Sequence, residues 1–406
     1  MRILVFSEVF WPEDFMINDL VREWVKMGHE VEVVTQYPSY PQSFVFDGYE
    51  NHGYTTEDWD GVKIHRYPFI EGYRDSKVSK FRNYYSFVHD GKKVVDSLNG
   101  QYDCAFVSQT GPLTVAYPAL YAKKKLGIPV NIWTYDIWPD VVWSYGMPKN
   151  ALTNAMLERM IRNIYGDCDR IFITSRKFAD TIGQYSDKEC VYAPNWLRPV
   201  ENVESALRLE EGRFHFTFTG NVSRYQNLIN AVEGYAKAGL ENARLNIVGD
   251  GSYLNEVKEA AEKAGAKDVV FHGRRPYNEM YDVMMQSDVL LLPLMPQEGI
   301  EKTEPLKLQS YLQAGKPVYG VLNGAGREII EENGLGLCAE PTDVEAIAEG
   351  FRRMVTFAGE HGEDVNASAQ RLLNGRFNKA DIVARITEDM ICKKLENIKS
   401  YNYERI

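Results

Sequence analysis

Short apolar runs alternate with amphipathic segments along most of the chain, and this alternation predicts its secondary structure. Residues 2–7, RILVFS, form a continuous apolar run that ends in a loop, which is typical of a buried strand. Residues 17–25 then repeat apolar side chains at helical spacing, and Gly28 closes this helix. Strand-then-helix units repeated in this way predict parallel sheets with helices on both faces.

The alternation falls into two series, separated by a polar, proline-bearing stretch at residues 194–213. Strands of the first series are predicted at residues 2–7, 30–35, 62–68, 102–108, 129–136, 170–175 and 189–194. Strands of the second series are predicted at residues 214–220, 243–249, 268–273, 288–294, 317–322 and 336–341. Two doubly wound α/β domains are therefore predicted, and ligands of such folds bind beyond the carboxyl ends of the strands.

Length, charge and cysteine usage agree with this architecture and exclude several functions. A chain of 406 residues is too long for one ordinary core. Its net charge of −11 argues against a nucleic-acid binder, which needs a basic face. Five scattered cysteines without a CxxC pair are expected to be reduced thiols of a cytosolic protein. The N-terminus is predicted to be a first strand rather than a signal peptide, and no apolar stretch approaches the ~18 residues that span a bilayer.

Two glycine-bearing turns that follow strands are candidate phosphate sites. In Gly320–Gly334 a glycine-rich turn leads into a helix that is predicted to begin near Arg327. In the stretch FTFTGNVSRYQN, Gly220 and Asn221 precede Arg224, whose guanidinium suits a phosphate. Backbone amides at glycines and the partial positive charge of a helix N-terminus both favour an anion. A tight turn and a surface arginine are the alternative interpretations.

The GxG of IVGDGS, at Gly249 and Gly251, is a weak signal for a dinucleotide site. Such a site needs three glycines at the first turn between strand and helix. The first turn here, SEVFWPEDF, contains no glycine, so an NAD-dependent dehydrogenase is not expected.

The stretch PLKLQSYLQAG is predicted to form a helix with two distinct faces. Proline at its start and glycine at its end are both favourable. Leu308, Tyr311 and Leu312 are spaced i, i+3 and i+4 and form the buried face. Lys307 and Ser310 lie together on another face, which is expected to face the ligand or, alternatively, solvent.

Several acidic residues stand near predicted strand ends. Asp136 lies at the carboxyl end of a buried strand, where it is expected to serve a site or, alternatively, to cap a helix. The acids of Glu57–Gly61 and Asp167–Asp169 resemble metal-binding pairs but are interpreted as turn residues. No metal site is therefore predicted.

Lys77–Lys93, KVSKFRNYYSFVHDGKK, is basic and aromatic within an acidic protein. Phe81, Tyr84, Tyr85 and Val88 recur at i, i+3, i+4 and i+7. An ordinary helix that packs these side chains on the core is one interpretation. An interfacial helix attracted to anionic lipid is the other.

A series of short motifs follows the order found in a known family. FWPED is similar to the Pro-Glu loop after that family's first strand, and APNW to the Pro-Asn before its interdomain linker. FTGNVS, LNIVGDGS, VVFHGR, SDVLLLPL, LQAGKPV and GAGREI follow at matching intervals. On these motifs nearly the whole chain resembles the retaining glycosyltransferases of family 4. PLKLQSYLQAGKPV is most similar to a branch in bacterial capsule, O-antigen and exopolysaccharide assembly.

The resemblance implies the GT-B fold, an α/β architecture of two doubly wound Rossmann-like parallel-sheet domains facing across a cleft. It implies an acceptor-binding domain at residues 1–197 and a nucleotide-sugar-binding domain at residues 198–376. Residues 377–406 are expected to form a helix that crosses back to the first domain.

The resemblance also implies metal-independent transfer, in which basic side chains and backbone amides stabilise the departing diphosphate of a nucleotide sugar. Candidates for this role are Arg224, Lys307 and the amides of Gly220, Asn221, Gly324, Ala325 and Gly326. Further donor-binding candidates are Gly249, His272, Gly273, Arg274, Arg275 and Glu328. Candidates on the acceptor side are Pro12, Glu13, Phe15, Met16 and Tyr135.

One departure from the family pattern concerns its paired glutamates. The family has a Glu that contacts the donor sugar and, after seven intervening residues, a Glu that holds the ribose. Here the second position is Ser310, which can still hydrogen-bond a ribose. The sugar contact is then expected from Glu298, Glu304 or Glu301, in that order of preference.

A second departure is Tyr135, which stands where many relatives have His, so Asp136 is expected to orient the sugar or the acceptor. The predicted catalytic residues are Asp136, Glu298, Arg224 and Lys307. The hypothesis is a cytoplasmic, membrane-peripheral transferase that moves a sugar from a UDP- or GDP-sugar to a lipid-linked oligosaccharide, without a cofactor and without a nucleic-acid partner. A non-catalytic sugar-nucleotide-binding partner and a sugar-nucleotide epimerase are the alternatives. The sugar, the base, the linkage and the oligomeric state stay open.

Overall fold

The computed structural model describes residues 1–144, 147–198 and 201–393. Two compact units are present. The first contains Met1–Ala193 and the described part of Ile382–Ile406, and the second contains Pro194–Asp381. The part of the predicted final helix that follows Lys393 lies outside the described residues.

An eight-stranded sheet forms the centre of the first unit. Its strands are β1 (Arg2–Ser7), β2 (Glu30–Gln36), β3 (Thr55–Trp59), β4 (Val62–Tyr67), β5 (Cys104–Gln109), β6 (Val130–Thr134), β7 (Arg170–Ile173) and β8 (Cys190–Tyr192). Its helices are α1 (Met16–Lys26), α2 (Lys77–Ser97), α3 (Ala116–Leu126), α4 (Asp140–Ser144), α5 (Ala151–Asp167) and α6 (Phe178–Ile182). The strand order is β3-β4-β2-β1-β5-β6-β7-β8, and every pairing except β3 with β4 is parallel.

Strand β3 corrects the expectation that Glu57–Gly61 consists of turn residues. Only Asp60 and Gly61, both with positive φ, form the turn, and Glu57 lies in the edge strand. The carboxylate of Glu57 lies 2.6 Å from the buried guanidinium of Arg66 in β4. This ion pair stabilises a strand whose polar sequence carries no strand pattern, because it compensates a charge that burial would otherwise make costly.

A six-stranded parallel sheet forms the centre of the second unit. Its strands are β9 (Phe214–Thr219), β10 (Ala243–Val248), β11 (Val269–Gly273), β12 (Val289–Pro293), β13 (Val318–Val321) and β14 (Gly336–Ala339). Its helices are α7 (Leu228–Ala238), α8 (Leu254–Lys263), α9 (Met280–Met285), α10 (Glu298–Glu301), α11 (Leu306–Ala314), α12 (Ala325–Glu332) and α13 (Val344–Asn374). All six strands agree with the sequence prediction.

Among the parallel strands of each sheet the strand order reverses at one point, and this point predicts where ligands bind. In the second sheet the order is β11-β10-β9-β12-β13-β14, so the reversal lies between β9 and β12. In the first sheet it lies between β1 and β5. The loops that follow these four strands are therefore the first places to search for a site.

The core of the second unit is centred on the ring of Phe351 in α13. It packs edge-on against Phe216 and Tyr319, each with ring centroids 4.9 Å away, and against Tyr235 at 5.3 Å. Edge-to-face aromatic pairs add to the free energy of apolar burial. The long helix α13 is thereby fixed against the face of the sheet.

Helix α14 (Lys379–Asp389) belongs to the first unit from Ile382 onward. The indole of Trp24 in α1 donates a hydrogen bond of 2.9 Å to the Thr387 hydroxyl. Beyond the helix, the buried side chain of Asn131 in β6 accepts from the amide of Ile391 at 2.9 Å and donates to its carbonyl at 3.1 Å. The C-terminal segment is therefore part of the folded first unit.

Helix α2 corrects one of the two interpretations of its aromatic stripe. Phe81 and Tyr85 are 57% and 71% exposed, so they do not pack on the core. The helix buries another stripe instead, which includes Asn83 and Phe87. Gly91 continues this stripe, and a Cβ placed there would lie 2.9 Å from Cγ of the proline at position 118 in α3, so glycine permits the close approach.

None of the helices in the described ranges combines the length and the apolar character that crossing a bilayer requires.

Replacing Trp24 by Ala is expected to lower the free energy of unfolding of the first unit by about 3–5 kcal/mol, because a fully buried indole and its hydrogen bond are lost. Calorimetry of the full chain measures the loss as a lower transition temperature for that unit. Met27→Ala, at a position 50% exposed next to the same helix, is the control and should change little. A change below about 1 kcal/mol for Trp24→Ala would contradict this packing.

Candidate functional site

A cavity of about 240 Å³ lies in the second unit, beside β9 and helix α11. We call it the α11 cavity. Its lining includes Thr219, Gly220, Lys307, Ser310, Tyr311 and Gln313. Lys307, Ser310 and Gln313 form the polar face of α11, while Leu308 and Leu312 on the other face are buried. One helix therefore serves the core and the cavity with different faces.

Lys307 is a cation of the α11 cavity, which Arg198 also lines. Its Nζ donates a 2.6 Å hydrogen bond to Oε1 of Gln226 and lies 3.9 Å from the centre of the Phe218 ring. No carboxylate of the described residues forms an ion pair with Lys307. Burial lowers the pKa of Lys307 to about 7, because an ammonium surrounded by protein loses hydration. An anionic ligand would supply the missing countercharge.

Gly220, directly after β9, is required by the position of Lys307. Its φ is +125°, and a Cβ placed there would lie 2.7 Å from Cε and 3.0 Å from Nζ of Lys307. Gly249, after β10, is required in turn, since a Cβ there would lie 1.8 Å from the carbonyl oxygen of Gly220. The two glycines permit the close approach of the backbone segments that follow β9 and β10. Asn221, which follows Gly220, is exposed.

Arg224 begins a 3₁₀ turn, Arg224–Gln226, that follows Gly220. The amide of Met295 donates a 2.9 Å hydrogen bond to the carbonyl of Tyr225, which ties this turn to the end of β12. Gln226 contacts Lys307, whereas the exposed guanidinium of Arg224 has no hydrogen bond or ion pair with any described residue. The turn thus contacts Lys307 through the side-chain amide of Gln226 and exposes Arg224 to solvent. Both cations lie at the reversal point of the sheet.

The glycine-rich turn before α12 packs on the segment that precedes α11. Gly324 has a φ of +74°, and a Cβ there would lie 2.0 Å from the carbonyl oxygen of Glu301. A Cβ on Gly326 would lie 3.0 Å from Cγ of Pro305. Helix α12 begins at Ala325, two residues before the predicted start at Arg327, because Gly324 already turns the chain into the helix. The exposed Glu328 lies in its first turn.

The three candidate carboxylates before α11 differ in their contacts. Glu298 pairs with Lys302 at 3.0 Å and is 70% exposed. Glu304 pairs with Arg376 at 2.8 Å and is 8% exposed. The half-buried carboxylate of Glu301 forms no hydrogen bond or ion pair within the described part of the chain. Glu301, the last choice on sequence grounds, is therefore the carboxylate of the three without a protein partner.

The end of β11 and the loop that follows it contain His272, which is hydrogen-bonded to the sheet, and two arginines. Nε2 of His272 lies 2.9 Å from Oδ1 of Asn246 on the neighbouring strand, and burial lowers the pKa of the imidazole. Gly273 has a φ of +68°, which turns the chain out of the sheet. Arg274 is exposed, and the buried Nε of Arg275 has no hydrogen-bond partner among the described residues. His272 therefore contacts the sheet, while the arginines flank the loop.

In the first unit, Asp136 follows β6 and is half-buried. Burial raises the pKa of its carboxyl to about 7, and the nearby charge of Lys80 opposes the rise. Its main-chain carbonyl accepts a 3.1 Å hydrogen bond from Nε2 of Gln109 in β5. The preceding Tyr135 packs its ring 4.7 Å from that of Trp133. Asp136 can thus hold or release a proton near neutral pH.

The Pro-Glu loop after β1 is organised by its own glutamate. The buried carboxylate of Glu13 accepts backbone hydrogen bonds from Phe10 at 3.1 Å, Ser39 at 2.8 Å and Tyr40 at 2.6 Å. After Glu13, the ring of Phe15 packs with its centre 5.3 Å from that of Tyr40, and Met16 begins α1. Pro12 precedes this carboxylate and is half-buried, as are Phe15 and Met16. The carboxylate of Glu13 therefore stabilises the loop through backbone hydrogen bonds.

Sequence reasoning missed two residues near Asp136. Glu8 follows β1 directly, and burial raises the pKa of its carboxyl to about 7. Lys80 lies on α2. Burial lowers its pKa, and the negative charges of Glu8 and Asp136 partly oppose this shift. The position of Glu8 directly after a buried strand is the sequence signal that could have identified it.

The described residues contain no group of three or more His, Cys, Asp or Glu side chains that could hold a metal ion. The acids expected in turns have other contacts, as Asp169 lies 2.6 Å from Lys123.

Comparison with known protein families covers both units. Residues 15–196 match the model of the glycosyl transferase 4-like domain, and residues 200–371 match that of the glycosyl transferases group 1. The chain belongs to the family 4-like glycosyltransferases of the GT-B fold. The family 4-like glycosyltransferase identity and the GT-B fold expected from the motifs are thereby confirmed.

Individual relatives of this glycosyltransferase are distant. It is 26% identical over 258 residues to the probable glycosyltransferase WbjE of Pseudomonas aeruginosa, covering 60% of this chain and 64% of that protein. It is 21% identical to the putative colanic acid biosynthesis glycosyl transferase WcaI of Escherichia coli, covering 92% of this chain and 97% of that protein. The solved sucrose-phosphate synthase of Thermosynechococcus elongatus is similar in fold, with a TM-score of 0.69, 14% identity and coverage of 95% and 97%.

The low pKa of Lys307 predicts that binding of a nucleotide sugar weakens as pH rises above about 7. A neutral lysine must gain a proton to meet the diphosphate, so the association constant should fall by up to about tenfold per pH unit until the pKa of the bound state is reached. Calorimetry in buffers of different ionisation enthalpy, with the tightest binder from a UDP- and GDP-sugar panel, measures this proton uptake.

Lys307→Met should bind more weakly and lose the pH dependence, while Lys263→Met, at an exposed position in α8, should keep both. Equal proton uptake by wild type and Lys307→Met would show that another group titrates.

Proposed function

We propose that this glycosyltransferase moves a sugar from a UDP- or GDP-sugar to a lipid-linked oligosaccharide in bacterial surface polysaccharide synthesis, with retention of anomeric configuration. The observation that carries the proposal is the α11 cavity, in which Lys307 is half-buried without an anionic partner from the described residues. Arg224 stands on the adjoining turn without a partner among the same residues. Two uncompensated cations at the reversal point of a parallel sheet suit a diphosphate.

The proposed chemistry is stabilisation of a leaving diphosphate. Breaking the bond between the anomeric carbon and the phosphate oxygen places negative charge on the diphosphate, and preorganised donors there lower the barrier. Lys307, Arg224 and the amides after Gly220 and Gly324 are the proposed donors. These side chains and amides meet the charge, so the proposed reaction is independent of a metal. The acceptor oxygen attacks the face that the diphosphate leaves, and the diphosphate takes the acceptor's proton.

Glu301 is proposed to contact the donor sugar. Its carbonyl lies against the Gly324 turn and its carboxylate has no partner among the described residues, whereas Glu298 and Glu304 are engaged in ion pairs. A carboxylate without a protein partner can accept hydrogen bonds from sugar hydroxyls without breaking a contact. Ser310 lines the cavity and is proposed to hold the ribose.

The family and the relatives support the choice of pathway. WcaI is named for colanic acid biosynthesis, and colanic acid is a polysaccharide. The acceptor is proposed to bind the first unit, where Asp136 orients the sugar or the acceptor. For a lipid-linked acceptor the proposed location of the enzyme is the cytoplasm, at the inner face of the membrane.

The outer face of α2 supports this placement. Val78, Phe81 and Tyr85 are 70%, 57% and 71% exposed. The exposed Arg82 lies among them, and residues 76–89 contain no Asp or Glu although the whole chain carries a net charge of −11. Apolar side chains with interspersed cations suit the interface of an anionic bilayer. We propose peripheral membrane contact through this face of Lys77–Lys93.

The transfer proposal is tested by a binding panel of UDP- and GDP-sugars followed by a transfer assay. Arg224→Ala and Lys307→Ala should each lower kcat/KM by about 100-fold or more while the protein stays folded, as expected for loss of a charged donor to the leaving group. Wild-type rates in both variants would refute the assignment. Binding of no nucleotide sugar would favour a non-catalytic partner, and interconversion of the sugar would favour an epimerase.

Glu301→Gln should lower transfer strongly, whereas Glu298→Gln, at the exposed position, should have little effect. The reverse order would move the sugar contact back to Glu298. Circular dichroism confirms that each variant is folded.

Membrane contact is tested by sedimentation with vesicles of phosphatidylglycerol or phosphatidylcholine. Wild type should bind the anionic vesicles more tightly, and added salt should weaken binding by screening. The double variant Phe81→Ser/Tyr85→Ser should lose binding, while Leu152→Ser/Met156→Ser, at positions 71% and 65% exposed on α5, should retain it. Loss in both pairs, or equal binding to both lipids, would contradict a specific docking face.

A further inference from the structure

The first sheet brings a polar cluster to its own reversal point, which lies between β1 and β5. Glu8 follows β1 directly, and Gly111 is the second residue after β5. A Cβ placed on Gly111 would lie 3.2 Å from Oε2 of Glu8. The absence of a side chain at Gly111 therefore leaves space beside this carboxylate. Asp136, the second residue after β6, belongs to the same edge.

Helix α2 supplies two polar groups to this edge. Nδ2 of Asn83 donates to Oε1 of Glu8 at 3.3 Å. Lys80, one turn earlier, faces the charges of both Glu8 and Asp136. Lys80, Glu8 and Asp136 are half-buried rather than sealed, so a ligand can reach them. The cluster is thus two carboxyl groups around one ammonium group, held on a fixed helix.

Gln109 gives an independent sign that this edge can bind a ligand. Its side chain is fully buried, and its Nε2 donates to the carbonyls of Gly111 at 2.6 Å and Asp136 at 3.1 Å. The side-chain amide of Gln109 therefore lies beside Asp136 and beside Gly111, which leaves the space next to Glu8. Its Oε1 is buried without a hydrogen-bond partner in the described part of the chain. Leaving such an oxygen without a donor is costly, so a ligand that donates a hydrogen bond to it would bind favourably.

The chemistry of the cluster selects a neutral, hydroxyl-rich ligand. Two carboxylates and an amide oxygen accept hydrogen bonds from hydroxyl groups, and an ammonium donates to a sugar oxygen. A phosphate would be repelled by two carboxylates. The cluster does not suit a metal ion, because it offers two carboxylates beside a lysine. The described residues contain no group of three or more side chains that could hold one.

We propose that Glu8 is a further acceptor-binding residue, which with Asp136 accepts hydrogen bonds from hydroxyl groups of the acceptor sugar, while Lys80 is a positioning residue that keeps both carboxylates charged. This inference rests on the proposed transferase function and names the part of the first unit that recognises the acceptor. Glu13, by contrast, is already satisfied by backbone amides.

The electrostatics of the cluster give the inference a pH signature. Burial raises the pKa of Glu8 and of Asp136 to about 7. The charged or titratable groups that face the cluster are Lys80, Glu13, Arg74, Tyr67 and Tyr73. Protonation turns one oxygen of each carboxyl into a donor and weakens the other as an acceptor, so acceptor binding is strongest above about pH 7 and weakens as pH falls through it.

The stability of the unliganded protein has the opposite dependence on pH. A carboxyl group whose pKa is raised on folding keeps its proton in the folded state after the unfolded chain has lost it. Its contribution is complete below the unfolded pKa near 4.5 and disappears as pH rises through about 7. The melting temperature should therefore fall between pH 5 and pH 8 more steeply in wild type than in Glu8→Gln.

The kinetic test uses octyl glycosides of glucose, galactose, mannose and N-acetylglucosamine as acceptors, with the donor identified by the binding panel. At pH 8 Glu8→Gln should raise the acceptor KM by at least about tenfold and leave the donor KM and donor hydrolysis unchanged. At pH 6 the two proteins should converge, because the amide resembles the protonated acid. Asp14→Asn, an exposed acid of the same loop, should match wild type at both pH values.

Lys80→Met should shift the acid limb of the acceptor pH profile upward, because the carboxylates lose their cation. This shift distinguishes a positioning role from a structural one, which would lower activity at every pH. An unchanged acceptor KM in Glu8→Gln, or equal increases in donor and acceptor KM, would overturn the inference. Equal pH slopes of melting temperature in Glu8→Gln and wild type would overturn it without any substrate. Failure of the wild type to bind any nucleotide sugar would instead refute the proposed function.

Discussion

The close approach of Lys307 to the backbone of Gly220 is the constraint on which the site of the second unit depends. The ammonium can occupy this position only because Gly220 has no side chain, and Gly220 can do so only because Gly249 also has none. Helix α11 and the ends of β9 and β10 must therefore keep their spacing. A side chain at either glycine would displace the cation rather than merely crowd a loop.

This arrangement places a charge where the protein alone compensates it poorly. Gln226 and the Phe218 ring contact the ammonium of Lys307, but a carbonyl oxygen and an aromatic face offset less of the lost hydration than a carboxylate would. The lowered pKa records that deficit. The diphosphate of the proposed donor would remove it, so part of the free energy of donor binding would come from a cost already incurred in folding.

The sequence predicted what depends on local periodicity and missed what depends on distant partners. The strands of the second sheet and the two faces of α11 follow from spacing alone. Strand β3 was missed because its polar residues are stabilised by Arg66, whose role no local pattern reveals. Spacing from Lys307 favours Glu298 over Glu301, and the contact that engages Glu304 could not be predicted because Arg376 lies far from it in the chain. The stripe of Phe81 and Tyr85 fitted both a core and a surface helix, so only the fold could decide.

Helix α2 links the two inferences about the first unit, because its opposite faces have different tasks. Its inner face holds Glu8 through Asn83 and faces it with Lys80, while its outer face exposes Phe81 and Tyr85. A lipid-linked acceptor has a matching division, with an apolar anchor and a sugar at its end. One rigid helix about 10–12 Å across would then set the distance between the bilayer surface and the acceptor hydroxyl. Selectivity for the acceptor would thus depend on its reach from the membrane as well as on the sugar that Glu8 and Asp136 contact.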